Sequence, residues 1–312
     1  MDDSRILVAE ISGKRPGDKK SRPTERYKIS FDHLIISNNS DGYITDWPIV
    51  NVPADFVAWY KENCKTSDNA WYAPMNRTYA IKYAIEHGYD YLIQLDDNIK
   101  RLEICYTINC GGNVQKRYRG SEKPDMMDDF IQILVSVLRH TNAAMSGCQL
   151  SSIGTPDDAF LVERYCYSLF ALNLKTCPLI FHGDFEDDIE FRLKCAEKKL
   201  PVLQLSSLRY SKVGQKSAKD ESGNRAAYTK AGVLRGEHMR VLHGDVYSCG
   251  FADKTASVKA AKSGKCFKHK LKPVKVGAVI RDRWGLEREM EDLLKKYAPP
   301  LQEKVIIKQL TV

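Results

Sequence analysis

Apolar residues recur along the chain in two rhythms, one of three to four residues and one of short continuous runs. From 76 to 88 the apolar positions Ala80, Ile81, Ala84 and Ile85 share one helical face, Asn76 is placed to cap its start and Gly88 to close it. Residues 89–95, Tyr-Asp-Tyr-Leu-Ile-Gln-Leu, follow at once as a buried strand, so a helix feeds a parallel strand here. The same alternation predicts strands at 31–36, 49–52, 99–107, 143–150, 165–174 and 201–208. It predicts helices at 54–63, around Met127, Phe130, Ile131, Leu134, Val135 and Leu138, and around Phe185, Ile189, Leu193, Ala196 and Leu200. Residues 12–28 and 109–125 read as polar loops, and the stretch from 210 to 280 has poor periodicity. A last helix is marked by Leu286, Met290, Leu293 and Leu294, ahead of a short strand at 304–310.

Helices alternating with short apolar strands predict an α/β fold with a mostly parallel central sheet, Rossmann-like and flanked by helices. The division expected is a basic N-terminal arm (1–28), a nucleotide-sugar-binding core (29–210) and a basic acceptor-binding or lid region with a C-terminal helix (211–312). With 312 residues the chain can bury an ample core without covalent staples. No apolar run approaches the roughly 20 residues of a membrane span. The start lacks the charged-then-apolar order of a secretory signal, so the cytoplasm is the expected location, that of a host if the chain is viral. Nine cysteines without a Cys-x-x-Cys pair read as free thiols. The net charge of +8 is unevenly spread: Lys and Arg dominate from Lys254 to Arg283 and between Arg209 and Arg240. Such runs are either a solvated surface or a phosphate-tracking one for a polyanion such as DNA.

Two acidic clusters carry candidate chemistry. Asp96-Asp97-Asn98 follows the 89–95 strand, and in a parallel sheet ligands bind at the carboxyl ends of strands. Two carboxylates and an amide form an all-oxygen ligand set suited to Mg²⁺ or Mn²⁺ and a diphosphate, whereas the plain alternative is a polar turn. The second cluster, Asp184-Phe185-Glu186-Asp187-Asp188, opens a helix and is more acidic than its dipole requires. Asp187, with Asp188 next, is the candidate general base. His243 is a candidate third metal ligand, and Arg235 or Arg240 could meet the diphosphate. Tyr210, Tyr228 and Trp284 are candidates to stack on a base turned out of a duplex.

Asn76-Arg77, the helix, the Tyr-Leu-Ile-Gln-Leu strand, Asp96-Asp97-Asn98 and the downstream Phe185-Glu186-Asp187-Asp188 with its helix resemble the GT-A glycosyltransferases over roughly residues 30–210. Within them the chain looks most like the TET/JBP-associated group, which includes the base J glucosyltransferase and viral enzymes that decorate hydroxymethylated pyrimidines in DNA. The resemblance implies an inverting, metal-dependent transfer from a UDP-sugar to the hydroxymethyl oxygen of a modified base. It implies Asp96 and Asp97 at the metal and ribose, with Asn98 beside them, Asn76 and Arg77 near the nucleotide or its phosphates, and Asp187 as base. Expected partners are DNA and the nucleotide sugar, with no membrane and no obligate protein partner. Rival readings are a GT-A enzyme acting on a glycan or protein, an inactive DNA-binding module of the same fold, and a nucleotidyltransferase.

Overall fold

The computed structural model describes residues 4–13, 26–64, 72–109, 115–119, 122–152, 161–183, 186–212, 239–240, 242–244, 247–253, 265–271 and 276–297. Its frame is a ten-stranded sheet with helices on both faces. The strands are β1 (Ile6–Ser12), β2 (Asp32–Ser37), β3 (Ile49–Asn51), β4 (Tyr91–Asp96), β5 (Ile99–Asn109), β6 (Gln115–Arg119), β7 (Met145–Leu150), β8 (Leu161–Glu163), β9 (Leu169–Asn173) and β10 (Val202–Lys212). Their order is β3-β2-β1-β4-β9-β7-β10-β5-β6, with β8 also paired to β10. In the central part β3, β2, β1, β4, β7 and β10 point one way and β9 alone runs against them, so the centre is mostly parallel. A separate hairpin joins β11 (Tyr247–Asp253) to β12 (Lys265–Leu271).

The helices are α1 (Ala54–Asn63), α2 (Tyr72–Glu86), α3 (Met126–His140), α4 (Asp187–Glu197) and α5 (Arg283–Tyr297). Alternate residues of β1 and β4 face opposite layers, as a pleated strand requires. Leu7, Ala9, Ile11 and Leu92 pack with α1, α2 and α4, while Val8, Ile93 and Leu95 pack with α3 and α5. Among the described residues no helix is long and apolar enough to cross a membrane. Cys64, Cys148, Cys166, Cys177 and Cys195 are buried free thiols.

Two boundaries differ from expectation. The 1–28 arm contains β1, a central strand whose run Ile-Leu-Val-Ala-Glu-Ile-Ser is buried on both faces. A doubly buried strand shows no alternation, and Glu10 inside it disguises the apolar run. Likewise α5 is no appendage: Leu286, Met290, Leu293 and Tyr297 enter the same core as Phe130 and Leu134. The loop expected at 109–125 holds β6, paired antiparallel to β5. The strand expected at 304–310 lies outside the described residues.

Candidate functional site

Strand order reverses between β1 and β4: the chain moves outward from β1 through β2 to β3, then returns to place β4 on the other side of β1. Such a switch point opens a crevice at the carboxyl ends of the strands. Ser12 ends β1 and Asp97 follows β4, and the two meet across that crevice, with Ser12 Oγ donating to Asp97 Oδ2 at 2.7 Å. The Tyr43 hydroxyl lies 2.6 Å from Ser12 Oγ. Beside them Asn76 Nδ2, near the start of α2, donates to the Ser12 carbonyl at 2.8 Å and to Asn38 Oδ1 at 3.3 Å. A Cβ on Gly13 would lie 2.3 Å from Asn38 Oδ1, so a larger residue there would displace the Asn38 amide from Asn76. The amide oxygens of Asn76 and Asn98 are buried without a hydrogen-bond donor among the described residues. Unmet buried acceptors cost about 1–3 kcal/mol each, and groups that bring N–H or O–H donors would satisfy them.

Asp96 occupies the adjacent position and both of its oxygens are engaged. Arg77 Nη2 approaches Oδ1 at 2.5 Å and Lys212 Nζ approaches Oδ2 at 2.6 Å. Against the cost of burial, these two cations hold the Asp96 carboxyl well below the usual range. Arg77 then extends its Nε to Asp187 Oδ2 at 2.7 Å. One buried guanidinium therefore joins the strand-end acid to the acidic start of α4. Removing one partner of so enclosed a pair costs about 3–5 kcal/mol.

The chain enters α4 through Glu186, whose φ of 58° is unusual for a residue with a side chain. That turn sets Asp187 and Asp188 in the first turn of the helix, where the dipole favours negative charge. Burial, followed by the charges of Asp187 and Glu186, pushes the Asp188 carboxyl up to about 8. Burial also raises Asp187, opposed by Arg77. The pair shares its protons, with one held near neutral pH.

Several expected residues sit elsewhere or have other work. Arg77, expected beside the nucleotide or its phosphates, commits its guanidinium to Asp96, Asp187 and Gln94. His243, expected at the metal with Asp96 and Asp97, turns to α4: its Nδ1 lies 2.8 Å from Glu197 Oε1 and its Nε2 3.7 Å from Glu190 Oε1. A buried histidine beside two carboxylates is held by charge, and nothing in its sequence neighbourhood signalled those partners. Tyr210 is fully buried, its hydroxyl accepting the Ser168 N–H at 2.9 Å, so it cannot stack on a base. Trp284 is 69% exposed, but it lies in the first turn of α5 beside the end of α3, near the amino ends of the strands and opposite the carboxyl end that carries Asp96. Arg240, one of the two arginines expected at the diphosphate, follows Met239 in a short helical stretch, whereas among the described residues Asp96 pairs with Arg77 and Lys212. Asp184, Phe185, Tyr228 and Arg235 lie outside the described residues. Lys212, Ser12 and Tyr43 were not singled out by sequence; Lys212 ends a strand whose last residue could not be placed from periodicity alone.

No family model matches the chain, and neither does any curated protein. A solved structure titled "Crystal Structure of a Mycobacterial Protein" is 8% identical, covering 88% of this chain and 86% of its own, with a TM-score of 0.44. A likeness at that level says nothing of function.

Proposed function

We propose that this chain is a GT-A-type glycosyltransferase that moves a sugar from a UDP-sugar to the hydroxyl of a 5-hydroxymethylpyrimidine in DNA. The observation that carries the reading is the joining of two acidic clusters, distant in sequence, at one strand-switch crevice through Arg77. Acids in such a crevice suit a reaction that needs a donor bound at the strand ends and a base facing an acceptor.

The residues divide the work. The unmet amide oxygens of Asn76 and Asn98 suit the N–H and O–H groups of a nucleoside. Among the described residues no three His, Cys, Asp or Glu side chains form a metal cage. A Mg²⁺ or Mn²⁺ ion here would be held by Asp97, taking its other ligands from phosphate and water as these ions commonly do. Bound there, it would neutralise the charge of the departing diphosphate. Asp96, saturated by Arg77 and Lys212, orients those cations. Asp187 Oδ2 is held by Arg77, and its other oxygen is left to take the acceptor proton as the sugar's anomeric carbon is attacked. Asp188 keeps its proton at neutral pH.

The DNA half rests on charge. The net charge is +8, β6 at the end of the sheet carries Lys116, Arg117 and Arg119, and β12 carries Lys265, Lys268 and Lys270. The test is incubation with a panel of UDP-sugars, Mn²⁺ and DNA containing hydroxymethylcytosine or hydroxymethyluracil, followed by nucleoside mass spectrometry. A gain of one sugar on either base, abolished in Asp187→Asn, is expected. Absence of gain on DNA, with transfer to a glycan or protein acceptor instead, would overturn the acceptor assignment.

A further inference from the structure

Arg77 is only 5% exposed and is fixed by every branch of its fork. Nε binds Asp187, Nη2 binds Asp96, and Nη1 donates to Gln94 Oε1 at 3.2 Å, while the Gln94 amide returns a bond to the Arg77 carbonyl at 3.0 Å. The rings of Phe170 and Phe181 lie 5.3 and 5.8 Å from the guanidinium carbon. A planar group pinned this way cannot swing out to follow a substrate, and a lysine ammonium could not reproduce its geometry. Asp96 is also gripped from the solvent side by Lys212, at 2.6 Å, so the two cations and two acids form one chain from Lys212 to Asp187.

We propose that Arg77 is the positioning residue of the base: one rigid fork fixes the Asp187 carboxyl group and couples it to what is bound at Asp96. The proposal deepens the transferase reading, on which only its turnover assay rests. A ligand that draws Lys212 away from Asp96 leaves Asp96 to compete harder for Arg77, loosening its hold on Asp187. A ligand that neutralises Asp96 does the reverse. Weakening Arg77 and neutralising Asp96 must therefore move Asp187 in opposite directions, which a general loss of packing would not do.

The experiment titrates the Asp187 carboxyl by ¹³C NMR in protein carrying labelled aspartate, the signal being assigned by its disappearance in Asp187→Asn. Arg77→Lys should move the midpoint upward by about one pH unit and Asp96→Asn should move it downward by a similar amount. The acidic limb of the transfer rate should follow, with kcat falling roughly 100-fold in Arg77→Lys and the donor KM changing less than about threefold. Shifts of the same sign in both variants, or no shift in either, overturn the proposal. If Arg77→Lys does not fold, the near-isosteric Asp96→Asn decides alone, since an unmoved or rising midpoint contradicts the coupling. Should the wild type transfer no sugar, the transferase reading fails while the titration still judges Arg77.

Discussion

Asp188 shares the first turn of α4 with two other acids, and the energetic consequence depends on pH. Its carboxyl is raised from 3.8 to about 8, first by burial and then by Asp187 and Glu186. A group raised in the folded state favours folding most below its ordinary value, and that contribution is lost as pH climbs through about 8. Above that pH the fold must carry a further buried negative charge. Asp188→Asn, which imitates the protonated form, should therefore melt close to wild type near pH 4 and several degrees higher at pH 9, as differential scanning calorimetry would show. Equal melting temperatures at both pH values would mean that Asp188 is ionised throughout. The candidate acids were legible in sequence as residue types after a buried strand and at a helix start. Their roles were not, because Arg77 and Lys212 reach them only through the fold.

Among elements, α4 does more than present acids at its tip. Ile189 and Leu193 on its side pack against Met239 and Tyr247, and between those contacts His243 is enclosed by the helix carboxylates. Burial works against a charged His243, yet its bonds to Glu190 and Glu197 outweigh that and raise it above 6.5. The groups around it are Glu190, Lys194 and Glu197 from α4 and His182 from the segment before it, with His182 Nδ1 2.5 Å from Lys194 Nζ. A raised histidine stabilises this docking below about pH 6.5 and loses the contribution as pH rises through its folded value. Hydrogen exchange at 239–247 should accelerate between pH 6.5 and 8.5, after correction for intrinsic rates, and His243→Gln should remove that dependence. Helix periods at α1 and α5 were readable from their apolar faces, whereas α3 is buried nearly all round from Ile133 to Leu138 and showed itself by recurring apolar positions. The direction of β9 was not, since an apolar run has the same period whichever way it points. The β11–β12 hairpin was hidden because Lys265, Lys268 and Lys270 break the apolar pattern of β12 and leave only the short Tyr247, Cys249, Phe251 alternation of β11 to mark it.

At the scale of the whole molecule, the C-terminal helix closes the layer begun by α3. Lys296 Nζ reaches Asp125 and Asp129 at 2.7 Å each, Tyr297 bonds Asp129, and the His140 ring meets Asp282 at 3.0 Å at the other end. Exposed pairs of this kind contribute little each; the buried Leu286, Met290 and Leu293 supply most of the attachment. Met290→Ala should cost about 2–5 kcal/mol in urea unfolding with a single transition. A separate early transition for the last helix would instead make it an independent attachment. Sequence read the three-layer arrangement but divided it wrongly, because charge composition marked both ends as accessory while burial makes β1 and α5 integral.

The reversed strand β9 also bears on how such a molecule can change. Its first turn lies beside Asp96, whose N–H donates to the Ser168 carbonyl at 3.0 Å, so the chain arriving at β9 enters at the same rim where β1 and β4 end. Insertions in that approach would reshape that wall of the crevice without disturbing any crossover beneath it. Specificity in descendants of this fold should therefore diversify fastest in the residues just ahead of Ser168, while the Arg77 girder and its two acids stay fixed.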